Sequence, residues 1–391
     1  IFILIKRLFY NCQKLKIKMR ILYISKSIIP SRSANSIHVM KMCQAFTDNG
    51  HEVILLAPDL KDQYERDIDD NYNYYGVRKN FKIKKLWHPN LKVGAFLYSL
   101  AIFFYLLINK RFDLVYGRFL HGIYLATLLK NKVIYESHAP SFDKKNHRLI
   151  VFKKLIKSKY FKKMVVISEA LKNMYLDKGY LNDSKIQVAH DGADEVANFD
   201  QTNDLLGLKD NLKVGYVGHL YKGKGMEVIA SIANKLDDDI EIHIFGGLEK
   251  DIQFWKNKIK SKNIYFYGFI PHKEVSNYIN ALDVCLLPNQ KVVLAHGSDS
   301  SNITLNISDF TSPLKLFEYM SHKKPIVASD LPVIREVLND RNSILVKCDD
   351  TELWMSSIKK LKNLKYRDTI ANQALNDFYS YCWKNRALLV I

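Results

Sequence analysis

Thr311-Ser312-Pro313-Leu314-Lys315-Leu316-Phe317-Glu318-Tyr319-Met320, followed by Lys324-Pro325-Ile326-Val327-Ala328-Ser329-Asp330, decides how this chain is read. A polar loop ends in Ser-Pro and an amphipathic stretch follows, so a helix is expected to begin there. Ser312 suits the N-cap, and Pro313 suits the first helical position, where a missing N–H costs nothing. The unpaired first-turn N–H groups and the positive end of the helix dipole then form an anion site, with Lys315 one turn in. Glu318 falls at the spacing that faces the same cleft. Together these residues suit a diphosphate joined to a hydroxyl-bearing ring, the head of a nucleotide sugar.

Outward from this block, apolar runs alternate with amphipathic stretches almost throughout, the pattern of parallel sheets covered by helices. Strands are predicted at Arg20–Ser25, Glu52–Ala57, Lys82–Leu86, Phe112–Tyr116, Lys132–Glu136, Lys163–Ile167 and Lys185–Ala189. A second series follows at Lys213–Val217, Ile240–Phe245, Asn263–Tyr267, Leu282–Leu287, Pro325–Ala328 and Ser343–Val346. A helix over Ser36–Asp48 would turn Val39, Met42, Cys43 and Phe46 to one side. The joint at His190–Asp210 is rich in Asp, Asn and Gly, and the domain boundary is placed there. The expected class is therefore α/β, with two Rossmann-like domains facing a central cleft. The divisions are an N-terminal extension of uncertain status (1–18), a first domain (19–205), a second (206–365) and a C-terminal crossover helix (366–391). Ligands of such sheets bind beyond the carboxyl ends of the strands.

At 391 residues the chain can build two cores. With 48% hydrophobic and 25% charged residues it is a folded chain rather than a disordered one. Five scattered cysteines, Cys12, Cys43, Cys285, Cys348 and Cys382, form no C-x-x-C pair, which argues against a zinc site or disulfide framework and fits a reducing cytoplasm. The net charge is +19, and residues 1–200 carry most of it, with 34 basic against 18 acidic side chains. Such a field attracts nucleic acid, anionic lipid or a phosphorylated substrate. Residues 1–18 read either as the remnant of an upstream start, since Met19 opens the first strand, or as a short basic membrane-surface segment.

Val214-Gly215-Tyr216-Val217-Gly218-His219-Leu220-Tyr221-Lys222-Gly223-Lys224-Gly225 ends a strand and opens a helix. Its glycines let backbone approach phosphate and its lysines supply countercharge. The spacing matches neither G-x-G-x-x-G nor G-x-x-x-x-G-K-[ST], which disfavours a dehydrogenase or a P-loop enzyme.

These two blocks resemble the donor site of retaining glycosyltransferases of family 4, which have the GT-B fold with C-terminal helices that return to the first domain. The resemblance spans about residues 19–390. Glu318 matches the second glutamate of the family's glutamate–seven–glutamate pattern and is implied to hold the nucleotide ribose. Phe310, with Asp309 beside it, stands at the first. His219 occupies the place of the family's arginine and Lys224 that of its lysine, with Lys222 a substitute cation. The donor diphosphate is thus expected between His219, Lys222, Lys224 and the start formed by Ser312, Pro313, Leu314 and Lys315. Phe269 and Ile270, in the turn Gly268–Pro271, would meet the nucleotide base.

On the first-domain side, His138 follows the strand ending Tyr135-Glu136-Ser137. The resemblance implies that it contacts the transferred sugar near the anomeric centre, with Glu136 as an orienting partner. The loop after the first strand offers Ser33 and Asn35 for donor or acceptor oxygens, with Ser36 as the helix cap. Arg118, at another strand end, is a candidate for an acceptor phosphate. The acidic runs Asp237–Asp239 and Asp67–Asp70 are read as solvated surface. No metal is expected, because lysines and helix ends can stabilise the leaving diphosphate, and no cofactor beyond the donor substrate.

Val93–Ile108 holds sixteen residues without a charge, shorter than the roughly 20 a membrane span requires. It is expected as a buried or interfacial helix. Phe152–Lys163 mixes six lysines with apolar side chains, as in helices that lie on anionic lipid. The implied protein is a retaining, metal-independent glycosyltransferase of surface polysaccharide or lipopolysaccharide assembly. It would be cytoplasmic and peripheral at the inner face of the plasma membrane, using a glycan or polyprenyl-diphosphate-linked acceptor. The rivals are a nucleotide-sugar epimerase of the same fold and a basic nucleic-acid-binding protein, the latter disfavoured because no basic-aromatic groove motif is present.

Overall fold

The computed structural model describes residues 18–109, 112–142, 147–197, 206–207, 210–293 and 306–391. Residues 1–17, with Cys12 and nearly all of the proposed extension, lie outside these, as does the centre of the interdomain joint.

The first half runs β1 (Arg20–Ile24), α1 (Ala34–Asp48), β2 (Glu52–Asp59), α2 (Asn71–Tyr74), β3 (Lys82–Trp87), α3 (Gly94–Ile108) and β4 (Leu114–Gly117). It continues through α4 (Leu120–Leu128), β5 (Val133–Ser137), α5 (His147–Ile156), β6 (Phe161–Val166), α6 (Glu169–Asp177) and β7 (Ile186–Val188). The second half runs β8 (Leu212–Val217), α7 (Met226–Ala233), β9 (Ile240–Phe245), α8 (Glu249–Lys258), β10 (Ile264–Gly268), α9 (His272–Asn280) and β11 (Val284–Leu287). After these come α10 (Leu314–Ser321), β12 (Ile326–Ser329), α11 (Pro332–Arg335), β13 (Ile344–Val346), α12 (Thr351–Lys360), α13 (Leu364–Phe378) and α14 (Trp383–Val390).

The strands form two sheets, β3-β2-β1-β4-β5-β6-β7 and β10-β9-β8-β11-β12-β13, parallel at every pairing. Central strands are buried on both faces and mostly apolar because helices cover both, as in β8, Leu-Lys-Val-Gly-Tyr-Val, and β12, Ile-Val-Ala-Ser. All thirteen predicted strands are present within a few residues. In each sheet the strand order reverses beside the first strand, between β1 and β4 and between β8 and β11. The loops leaving β1, β4, β8 and β11 therefore splay apart and open a crevice.

The C-terminal segment is two helices rather than the single crossover expected. α13 lies against α10 in the second domain, whereas α14 crosses to α1 in the first. The break falls where Cys382 bridges Ala193 of the interdomain joint and Trp383 donates its N–H to the Ala193 carbonyl at 3.2 Å. Trp383, Ala387 and Val390 then share a core with Val39, Met42 and Phe46 of α1.

A second tie between the domains is polar. Glu336 accepts the first-turn N–H groups of Glu169 and Ala170 at 2.7 and 2.9 Å, and His190 Nε2 lies 2.8 Å from the same carboxylate. It acts as a helix cap supplied by the other domain. Both acidic runs lie at the surface as read: Asp237 and Asp239 pair with Lys359 and Lys362, and Asp70 caps α2. Among the described residues no helix is long and apolar enough to cross a membrane.

Candidate functional site

Between the two sheets lies a cavity of about 370 Å³, walled by the loops leaving β1, β8, β9 and β10 and by the start of α10. Nine predicted residues share its wall: His219, Lys224, Phe269, Ile270, Ser312, Pro313, Leu314, Lys315 and Glu318. Lys222 does not. Its side chain is exposed to solvent and stands outside the wall, so the place given to it as a substitute diphosphate cation is corrected.

The Gly-rich loop brings its backbone into the crevice because its glycines permit it. Gly225, the N-cap of α7, has φ of 93°, and a Cβ there would sit 2.1 Å from the Pro288 carbonyl oxygen. Gly218, at φ of 144°, leaves room for Lys315, whose Nζ would be 3.3 Å from a Cβ at that position.

Two lysines meet here, and among the described residues neither makes an ion pair, although the charge of Glu318 acts on Lys315. Lys315 Nζ is buried, lies 3.8 Å from the centre of the Tyr216 ring and has no hydrogen-bond partner among the described residues. Burial pushes its pKa well below the ordinary lysine value, and the charge of Lys224 pushes it further. Burial also brings Lys224 down to about 8. An unpaired buried ammonium is costly, so a bound anion would relieve both groups.

α10 starts one residue later than predicted. Pro313, in an extended conformation, occupies the cap position and Leu314 opens the helix. Ser312 does not cap it; its Oγ accepts the N–H of Asp191 from the interdomain joint at 2.9 Å. Leu314 and Lys315, whose first-turn N–H groups a helix leaves without intrahelical acceptors, still line the cavity. One turn further, Glu318 Oε1 is 3.0 Å from His272 Nε2. Burial raises the Glu318 carboxyl, but the bond and charge of His272 outweigh it and hold the group below its ordinary value.

Phe310, at the family's first glutamate position, turns away from the cavity. It is 2% exposed, belongs to the core of the first domain, and its carbonyl accepts Ser168 Oγ at 2.9 Å. The residue thus joins the two domains.

The first-domain candidates divide. His138, Asn35 and Arg118 line a separate pocket of about 170 Å³. Ser33 lines neither space. It is the N-cap of α1, accepting the Ser36 N–H at 3.2 Å, while Ser36 is buried and donates to the Ser31 and Ser33 carbonyls. Ser33 therefore takes the cap expected of Ser36, and neither serine reaches a ligand space.

His138 is fixed by Glu136, whose Oε1 lies 2.8 Å from His138 Nε2. That oxygen also receives Arg386 at 2.7 Å, and Oε2 receives the Tyr116 hydroxyl. Glu136 is thus the orienting partner its position suggested, with its oxygens fully engaged. The carboxylate fixes a proton on Nε2 of His138 and leaves Nδ1 as an acceptor. Burial, then the charge of Arg118, lowers His138 to about 3 against the opposing carboxylates. The imidazole is therefore neutral near pH 7. His38 completes the cluster, with Nδ1 2.8 Å from Asp191 and Nε2 3.0 Å from Glu136. His38, His138 and Asp191 have donor atoms within 4.8 Å of one another, and hydrogen bonds within the cluster engage Nδ1 of His38 and Nε2 of His138.

Several wall residues carried no signal in the sequence. Arg32 stacks on Phe269 at 3.9 Å across the crevice and pairs with Glu65. Asp191 and His272 also reach the wall. Arg386 lies 250 residues from the carboxylate it binds. The available hint was its place directly before the apolar end Ala387-Leu388-Leu389-Val390-Ile391.

Residues 36–196 match the family described as Glycosyltransferase Family 4, and residues 211–363 the family described as Glycosyl transferases group 1. An uncharacterised glycosyltransferase of Methanocaldococcus jannaschii is 25% identical over 390 residues, spanning 92% of this chain and 93% of that protein. A 41.2 kDa protein of the cps region of Klebsiella pneumoniae is 22% identical over 221 residues, 51% of this chain and 61% of that one. Anabaena HepE, solved with UDP and glucose, superposes with a TM-score of 0.70 at 13% identity over 95% of this chain and 97% of its own. WaaG, a glycosyltransferase involved in lipopolysaccharide biosynthesis, does so with a TM-score of 0.63 at 12% identity over 94% and 99%. With both families matched in order along one chain of two facing Rossmann-like domains, this protein belongs to the GT-B glycosyltransferases, its first half a family 4 domain and its second a group 1 domain.

Proposed function

We propose that this chain is a retaining, metal-independent transferase that moves a sugar from a nucleotide diphosphate to a lipid-linked glycan acceptor in surface polysaccharide or lipopolysaccharide assembly. The observation that carries the reading is the pair of desolvated lysines in one cavity, Lys224 from the Gly-rich loop and Lys315 from the first turn of α10, the Nζ of Lys315 having no hydrogen-bond partner among the described residues. A leaving diphosphate gains negative charge as the sugar departs, and preorganised donors act where charge develops. Glu318 would take the ribose hydroxyls, with His272 orienting it. The neighbouring HepE, which binds UDP and glucose, supports a nucleotide sugar as donor.

Retention fits a front-face substitution in which the departing phosphate helps take the acceptor proton. The carboxylates around the site are already engaged: Glu136 with Arg386 and His138, Asp191 with His38, and Glu318 with His272. Among the described residues none of these is left free as a nucleophile. Neutral His138 would orient the sugar through Nδ1 rather than donate a proton.

Work at the inner face of the plasma membrane is supported by one side of the first sheet, where α3, α4 and α5 lie in succession. Phe96, Leu100, Phe104 and Ile108 repeat every four residues and are 37% to 82% exposed, with Leu128 and Ile150 exposed on the next two helices. Residues 71–168, which contain this layer, hold 20 basic and 3 acidic side chains, 20 − 3 = +17 of the chain's +19. An apolar stripe within such a field matches an anionic bilayer.

Thermal-shift screening of uridine, guanosine and adenosine diphosphate sugars tests the donor reading. One series should raise the melting temperature, and Lys224→Ala and Glu318→Ala should each cut turnover sharply in a folded protein. Conversion of the donor sugar in the absence of acceptor would instead identify an epimerase.

A further inference from the structure

The small pocket beside His138 has a composition its own residues do not balance. Its wall includes Lys26, Asn35, Arg118, Glu136 and Arg148. Arg118 Nη1 and Arg148 Nε are both buried and have no hydrogen-bond partner among the described residues. Glu136 cannot serve them, because its oxygens already receive Arg386, His138 and Tyr116. Next to the pocket, the Nε2 atoms of His121 and His147 meet at 2.7 Å. Burial, followed by the charges of His147, Arg148 and Lys26, pushes His121 down to about 4. The space is thus strongly electropositive, and it contains guanidinium N–H groups that a buried site does not ordinarily leave unmade.

We propose that this pocket is an acceptor subsite that holds a phosphate or diphosphate ester through Arg118 and Arg148, with Lys26 at its edge. The planar fork of arginine pairs two N–H groups with two oxygens, which suits phosphate. The pocket is distinct from the cavity of Lys224 and Lys315, and the two meet at the His38–His138–Asp191 cluster. An acceptor anchored by its anion would therefore present a nearby hydroxyl past His138 toward the donor cavity, within reach of the departing phosphate that takes its proton. This rests on the donor reading of the larger cavity. The anion has two sources, a lipid diphosphate or a water-soluble sugar phosphate.

The test removes the donor cations first, in a Lys224→Met/Lys315→Met background, and titrates inorganic pyrophosphate and geranyl diphosphate by calorimetry. The background protein should bind pyrophosphate, and adding Arg118→Gln/Arg148→Gln should weaken it at least about ten-fold. Lys26→Glu, an exposed position where folding is not at stake, should weaken it about three-fold or more. Tighter binding of geranyl diphosphate assigns the anion to lipid, and equal binding assigns it to a soluble sugar phosphate; each supports the subsite. No binding of either probe, or binding untouched by the arginine and Lys26 substitutions alike, overturns it. The background lacks the donor lysines, so that failure leaves the donor reading standing, and a donor failure would appear only in the nucleotide-sugar screen.

Discussion

Arg386 Nη2, on the last helix, donates to Glu136 Oε1 at 2.7 Å, and the same oxygen is 2.8 Å from His138 Nε2. The C-terminal helix therefore fixes the tautomer and angle of a histidine at the cleft. Arg386 also donates to the carbonyls of Ala189 and His190, so it joins α14, the end of β5 and the interdomain joint. Removing one partner of a buried pair leaves the other charged and unpaired. Arg386→Ala should cost about 3–5 kcal/mol in urea unfolding. A loss below about 1 kcal/mol would contradict this role.

The same carboxylate gives a pH signature. Burial alone would raise Glu136, but Arg386 and His38 hold it well below its ordinary 4.5. A depressed folded value contributes stability above the unfolded value, and that contribution fades as pH falls through about 4.5 toward the folded value. The fall in melting temperature between pH 6 and pH 3 should be shallower in Glu136→Gln than in the parent. Parallel curves would show that the carboxylate carries no such linkage.

Lys224 links donor binding to pH. Its pKa is about 8 in the free protein, lowered by burial, and a bound diphosphate would raise it. Binding must then take up protons near pH 8, and affinity must fall as pH rises through that value. Calorimetry in buffers of different ionisation enthalpy measures the uptake. Zero uptake across pH 7 to 9 would mean that Lys224 is not at the diphosphate.

The strands were legible because parallel strands buried on both faces are continuous apolar runs, and the switch points then placed the site loops. Local signals misled at both helix starts. Ser312 and Ser36 each have the right side chain for a cap, yet Ser312 was taken by the Asp191 N–H and Ser36 by the Ser31 and Ser33 carbonyls. Arg32, Asp191, His272 and Arg386 were not legible, since their partners come from other strand ends or the other domain. Phe310 was visible as a departure from the family pattern, but its destination in the opposite core was not.

Phe310 now makes its own prediction. Because it is buried in the first domain's core, Phe310→Ala should cost about 3 kcal/mol or more. Phe310→Glu should not restore a sugar contact; it would bury an unpaired carboxylate and destabilise the chain further. Higher turnover in Phe310→Glu with unchanged stability would contradict the assignment.

The exposed α3 stripe predicts lipid binding that needs both apolar and basic groups. Phe96→Ser/Phe104→Ser and Lys153→Glu/Lys154→Glu should each reduce cosedimentation with phosphatidylglycerol vesicles by about ten-fold, without changing the melting temperature. Undiminished cosedimentation in both would remove this face as the contact.

The central claim is that the diphosphate rests on Lys224, Lys315 and the amino end of α10. A crystal structure with the stabilising nucleotide sugar tests it directly. The phosphate oxygens should lie about 2.7–3.1 Å from Lys315 Nζ and the Leu314 or Lys315 amide. A diphosphate bound elsewhere, with Lys315 still unpaired against the Tyr216 ring, would contradict the account.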